Sequence, residues 1–419
     1  MNAHDRRFVL VLDDDPTGTQ CAANVDVLLR PDEHSIAAAL AGPGHAAFAL
    51  TNTRALDRGE ATALVRRLRA LTVHYGQGRD VRLVLRGDST LRGHVFAEME
   101  SLGLGQAAGL IVPAFPAAGR VTIDGVHYLG TGGALVNVAD TEFARDPVFG
   151  FRARTMRDWV AEVGGSRAVE LVGPDVPPAD RAAAVRDALL RVPDGGVVIP
   201  DVRDGGDLAL IAAGSAAAQE RGRRVVVRCA APLAALIAGV PGTTVAPRRE
   251  PARRVLVVCG SHTAAATEQL DSIRDRTPPH LVVPAEVNNT LACEAVAGAA
   301  LAHLDRDGIA VVTTERRRGA ERGSLADGAA VMAALMAVVR RLAPGVDAIV
   351  SKGGITSAEL VTTGLGATRT RVVGQLEVGI SLWEVPRNGD DGVVPVAIVP
   401  GNIGDAGTLA RMLGYFTAG

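Results

Sequence analysis

The chain has 419 residues, a formal net charge of −2, 3% aromatic residues and four cysteines. The balanced charge and scarce aromatics argue against a nucleic-acid or anionic-membrane partner. Cys21, Cys229, Cys259 and Cys293 lack metal or redox spacing, no signal pattern opens the sequence, and no apolar run reads as bilayer-spanning, so a cytoplasmic protein with reduced thiols is expected.

The length predicts two or three domains. A continuous apolar run over 8–12, the pattern of a strand buried on both faces, stops at Asp13, Asp14 and Asp15. Open α/β sheets bind ligands beyond the carboxyl ends of their strands, so the acid cluster lies where a site is expected. Adjacent carboxylates repel unless a cation or protein donors compensate them; without such partners the segment is a solvated acidic turn. Further strands are predicted over 46–50, 81–85, 109–113, 196–200 and 225–227, alternating with Ala-rich helices such as 59–71. Thr51–Arg54 follows the second strand. Arg86-Gly87-Asp88-Ser89-Thr90-Leu91-Arg92-Gly93 follows the third. The stretch 118–155, rich in Gly, Thr, Asp and Arg, reads as a long functional loop or hairpin excursion.

Prolines and a charge run mark 241–253 as a linker. The predicted organisation is a domain over 1–240, this linker, and a second domain over 254–419. In the second domain, strands over 254–259, 347–350 and 395–399 each run into a small-residue turn and a helix. The turns are Gly260-Ser261-His262-Thr263, Ser351-Lys352-Gly353-Gly354-Ile355-Thr356 and Pro400-Gly401-Asn402-Ile403-Gly404-Asp405, with helices over 357–364 and 406–414 after the last two. Free amides at a helix start favour phosphate. Lys352 is the single lysine in a chain that otherwise uses Arg, and a compact ammonium suits a tight phosphate site.

In the first domain, Arg54, Arg86 and Arg92 can bind a carboxylate or phosphate, Asp14, Asp15 and Asp88 can take hydroxyls, and Ser89 or Thr90 can cap the helix that follows. Such a set suits a small polyhydroxylated acid. Asp15 or Asp88 is the candidate general base. Pro16 biases Asp15 toward an extended backbone, and flanking arginines should weaken Asp88 as a base, which favours Asp15.

These motifs resemble the four-carbon acid sugar kinases. Asp14-Asp15-Pro16-Thr17-Gly18 is similar to that family's opening motif and Arg86 to Gly93 to its second. Pro113–Pro116, Gly119-Arg120, Asp124-Gly125 with Tyr128, and Thr141–Pro147 look like its next blocks. The resemblance implies two α/β domains with mainly parallel sheets, an interdomain active-site cleft, and ATP-dependent phosphorylation, with Mg²⁺, of the terminal hydroxyl of threonate, erythronate or 3-oxotetronate. It implies that Asp15, Arg54 and Arg86 to Thr90 bind substrate. Ser261, Gly353, Gly354, Ile355, Thr356, Gly401, Asn402, Ile403 and Gly404 would bind ATP. Arg86 stands where many members have Lys. No residue is assigned to a metal, and homo-oligomerisation is left open. The competing readings are a haloacid-dehalogenase-like phosphatase, with Asp13 as nucleophile and Asp15 as acid, and a non-catalytic nucleotide or metabolite sensor.

Overall fold

The computed structural model describes every residue except 1–6, 16–17, 132, 174, 246–249, 285–289, 317–324, 388–391, 402 and 418–419. The chain divides into two compact α/β units, Met1–Gly242 and Thr243–Gly419.

The main strands of unit 1 are β1 (Arg7–Asp13), β2 (Val25–Leu28), β3 (Ala46–Leu50), β4 (Asp80–Arg86) and β5 (Ala108–Val112). A small antiparallel sheet follows: β6 (Arg120–Ile123), β7 (Val126–Thr131) and β8 (Ala134–Asn137). The main sheet resumes with β9 (Val169–Val172), β10 (Val197–Pro200) and β11 (Val225–Cys229). Its order is β2-β3-β1-β4-β11-β5-β10-β9, and every pairing is parallel. Helices α1 (Glu33–Ala41), α2 (Arg58–Tyr75), α3 (Val95–Ser101), α4 (Met156–Gly164), α5 (Pro178–Arg191), α6 (Gly205–Glu220) and α7 (Ala231–Ile237) accompany it. Phe8, Leu10 and Leu12 of β1 lie in the core with Leu68 of α2 and Trp159 of α4, which is why β1 reads as unbroken apolar sequence.

Register aligns Leu50, Asp13, Arg86, Cys229 and Val112 in one row across β3-β1-β4-β11-β5. The chemistry-bearing segments therefore leave the sheet side by side.

Unit 2 contains β12 (Val255–Cys259), α8 (Ala264–Asp271), β13 (Leu281–Val282), α9 (Thr290–Asp307), β14 (Ile309–Thr313), α10 (Leu325–Leu342), β15 (Ala348–Lys352) and α11 (Gly354–Glu359). It ends with β16 (Arg369–Glu377), β17 (Ile380–Pro386), β18 (Val393–Val399) and α12 (Thr408–Phe416). Strands β13-β14-β12-β15-β18 run parallel, and β17 and β16 continue antiparallel. The predicted helix over 357–364 begins earlier, at Gly354, and passes into a π-helical turn over Leu360–Gly364.

The expectation that no apolar run could span a bilayer is corrected by the window Gly328–Gly345, which is long and apolar enough by length and composition. Its Leu335, Met336, Val338, Val339 and Leu342 are at most 1% exposed, so one face of this helix packs into unit 2, and 33% of the window is buried.

Candidate functional site

The carboxyl edge of unit 1 holds a lattice of alternating charges. Asp13 and Asp14 are each 2% exposed, whereas the Asp15 side chain is 28% exposed. Arg86 Nη1 donates to Asp13 Oδ1 at 3.0 Å and lies 3.7 Å from Asp14 Oδ1. Arg54, in the short turn after β3, donates through Nη2 to Asp14 Oδ1 at 3.0 Å and Asp15 Oδ2 at 2.9 Å, and its Nη1 is 3.6 Å from Asp88. Arg92 donates to Asp88 Oδ2 at 2.8 Å, lies 3.6 Å from Asp146 and stacks over Phe143 at 4.9 Å. Arg228 of β11 donates to Asp14 Oδ2 at 2.8 Å and pairs with buried Glu98. The cation compensation that three adjacent acids require is supplied by arginine.

This geometry revises several expectations. Asp14 and Arg86, nominated as substrate ligands, are buried, and their charges are spent on protein partners. Arg54 is shared among Asp14, Asp15 and Asp88. Asp88 is flanked by Arg54 and Arg92 rather than by Arg86 and Arg92. Ser89 and Thr90 do not cap the next helix: α3 starts at Val95 after His94, with no side-chain cap. Leu91 takes a left-handed φ of +71° and delays the helix; the Thr90 hydroxyl instead donates to Asp88.

Glycine is required where the lattice is tightest. A Cβ on Gly87 would lie 2.3 Å from Arg228 Nε, and one on Gly18 would lie 1.9 Å from Asp13 Oδ2. Pro16 and Thr17 lie outside the described residues.

Burial outweighs Arg86 and pushes the Asp13 carboxyl up to about 7, with the charges of Asp14 and Asp15 adding to the rise. Burial also acts on Asp88, but there Arg54 and Arg92 prevail and hold it down at about 2. Burial works against the Arg54 charge; Asp14, Asp15 and Asp88 overcome it and raise its pKa above the ordinary arginine value.

The small antiparallel sheet is fastened to this edge. Asp124 and Gly125 both have positive φ, as a two-residue hairpin turn demands, and their N–H groups donate to Asp201 at 2.6 and 3.0 Å. Burial pushes His127 down to about 4, so its ring is neutral near pH 7. Nε2 is 2.8 Å from the Ser89 carbonyl, which can only accept; Nδ1 therefore accepts from the Thr122 hydroxyl at 3.0 Å. Arg228, Glu98, His127 and Asp201 were absent from the sequence reading. The one available signal was Arg228 interrupting an apolar strand, since a buried charge demands a partner.

In unit 2 the three predicted turns leave adjacent parallel strands, with Cys259, Lys352 and Val399 in one row. Thr263 Oγ1 donates to Gly401 O at 2.8 Å, joining the first turn to the third. Gly353 has φ +117°, and a Cβ there would lie 2.9 Å from Thr356 Oγ1. Lys352 does not present its amine to phosphate. It is fully buried and donates to the carbonyls of Pro400 at 2.9 Å and Ile403 at 3.1 Å, and burial lowers its pKa to about 8. Ser261, Gly401 and Gly404 lie in these turns, whereas Gly354, Ile355 and Thr356 form the first turn of α11, with Ile355 74% exposed and Thr356 buried. Asn402 lies outside the described residues. Arg316, unanticipated, donates to the Ser261 carbonyl and, at 3.2 Å, to Thr267.

Among the described residues no group of three or more His, Cys, Asp or Glu is arranged to hold a metal ion. The phosphatase reading needs an available Asp13 carboxylate, and this one is locked to Arg86 inside the protein.

The family model for a sugar-binding N-terminal domain matches residues 9–237, and that for a nucleotide-binding C-terminal domain matches 256–409. The chain is 29% identical over 375 residues to a D-threonate kinase of Bordetella bronchiseptica, covering 86% of this chain and 84% of that protein. It is 28% identical over 280 residues to a D-erythronate kinase of Heliobacterium modesticaldum, covering 62% and 60%. The fold is similar to that of Haemophilus influenzae protein HI1011, of family DUF1537, at TM-score 0.73 and 18% identity, with 97% of this chain and all of that one covered. With both family models matched in order along nearly its whole length, the chain belongs to the four-carbon acid sugar kinase family.

Proposed function

We propose that the protein is an ATP-dependent kinase that phosphorylates the terminal (C4) hydroxyl of a four-carbon sugar acid such as threonate, erythronate or 3-oxotetronate. The observation that carries this reading is the division of labour among the carboxylates. Asp13 and Asp14 are buried, and Asp15 alone of the three reaches solvent, held by Arg54 at 2.9 Å.

Phosphoryl transfer depends on positioning and charge stabilisation, with a carboxylate accepting the hydroxyl proton. Asp13 has the pKa a base wants but no access. Asp88 is held too acidic to be an effective base, yet its ionised carboxylate accepts a substrate hydroxyl well. Asp15 is assigned as base. The three turns of unit 2 are assigned to the triphosphate, with backbone amides at the helix starts as donors. Mg²⁺ is assigned to the nucleotide, as part of the donor substrate, because the acid cluster is already neutralised by arginine.

The test is ADP release from Mg-ATP across a panel of tetronates, with the phosphorylated carbon located by NMR. Asp15→Asn should lower kcat by about a hundredfold or more while calorimetric ATP affinity is retained. ADP release that no tetronate stimulates, or full turnover by the variant, would defeat the reading.

A further inference from the structure

The charge lattice leaves a gap in substrate recognition. Arg54, Arg86, Arg92 and Arg228 each already hold one or more carboxylates. A sugar acid brings another carboxylate, which at any of these four would have to share the guanidinium with an acid already held there.

Arg120 stands in a different position. It opens β6, and its backbone is fixed beyond the end of β5 by two hydrogen bonds with Phe115, at 2.8 and 3.0 Å. Strand alternation puts Arg120 and Thr122 on one face of β6. That face looks toward the Asp88 loop, because Thr122 bonds His127 and His127 bonds the Ser89 carbonyl. Asp88 is near enough to Arg120 to act on its charge. Yet among the described residues Arg120 forms no ion pair. One Nη donates to the Ala118 carbonyl, and Nε is buried with no hydrogen-bond partner. A partly buried guanidinium with no ion pair of its own, near the hydroxyl-accepting carboxylate of Asp88, is a receptor for an anion of the same small molecule.

We infer that Arg120 binds the substrate's carboxylate and sets the preference for a sugar acid over its neutral counterpart. This rests on the kinase reading above. Placing the anion at Arg120 and the hydroxyls at Asp88 and Asp15 orients the chain of the acid and leaves the hydroxyl farthest from the carboxylate for phosphorylation.

The experiment compares the best tetronate with its primary amide, which keeps every hydroxyl and loses the charge. Calorimetric binding of each and the amide's inhibition constant are measured for wild type, Arg120→Ala and Arg120→Lys. The alanine variant should bind the acid roughly 10–150-fold more weakly, the worth of one charged hydrogen-bond set. Amide binding and KM for ATP should stay within about twofold, so the acid-over-amide preference collapses; the lysine variant should recover part of it. An unchanged acid-to-amide ratio overturns the assignment. So does an equal loss for acid and amide, which would make Arg120 a support of the small sheet. Absence of tetronate-stimulated ADP release in the wild type would defeat the kinase reading, while acid binding would still report on Arg120.

Discussion

Arg228→Met keeps the bulk of the side chain and removes its charge, and it tests whether the acid cluster is held by arginine. Asp14 and Glu98 are 2% and 1% exposed. After the substitution Asp14 retains Arg54 at 3.0 Å and Arg86 at 3.7 Å. Glu98 loses the single ion pair it has among the described residues. Removing one partner of a buried pair costs about 3–5 kcal/mol, and a unit of this size shifts by about 2–4 °C per kcal/mol, so melting should fall by roughly 6–20 °C. The chain has two tryptophans; Trp159 is buried in unit 1 and Trp383 lies in unit 2. A Trp383→Phe background therefore lets fluorescence follow unit 1 through urea unfolding. Adding Glu98→Gln removes the stranded charge and should return on the order of 1–3 kcal/mol, the usual coupling between contacting residues. If Arg228→Met lies within about 1 kcal/mol of its parent, the lattice is not what neutralises these acids.

Asp13 supplies a pH signature: its carboxyl sits at about 7 in the folded chain against an ordinary 3.8, so its contribution to stability is full below about pH 4 and is lost as pH rises through 7. Asp13→Asn should flatten unit 1's urea stability between pH 5 and 8, and an unchanged slope would show that Asp13 does not titrate there. In unit 2, a Cβ at Gly401 would lie 2.9 Å from Ser261 Oγ. Gly401→Val should weaken calorimetric ATP binding by about tenfold or more, more than 1.4 kcal/mol, with tetronate binding unchanged; ordinary ATP affinity would remove this turn from the nucleotide site.

What could be read from the sequence depended on how far apart the cooperating residues lie. Asp13 to Asp15, Arg54 and Arg86 to Arg92 each follow a recognisable apolar strand, so their place at a sheet edge was legible. The strand–glycine–helix pattern likewise exposed the three turns, although their adjacency needed the order β12-β15-β18. Which charges are consumed internally was not legible. Arg86 and Lys352 end strands just as ligands do, but register and side-chain direction turn one onto Asp13 and the other under the Pro400 turn. The capping role expected of Ser89 and Thr90 failed because Leu91 enters the left-handed region, a choice set by tertiary packing and not by local propensity.

The insertion of β11 between β4 and β5 bears on how the protein is made. Asp14 waits for Arg228, 214 residues downstream. Until that strand arrives, β4 and β5 each expose an unpaired edge, and the N-terminal acids lack one of their counter-ions. On a ribosome the first two hundred residues cannot close as a finished sheet. The final strand of unit 1 is a keystone, so assembly there should be late, cooperative and dominated by long-range contacts. Any fragment ending before Val225 would present sticky strand edges and an acidic pocket short of one counter-ion, the features by which chaperones and proteases sort incomplete chains.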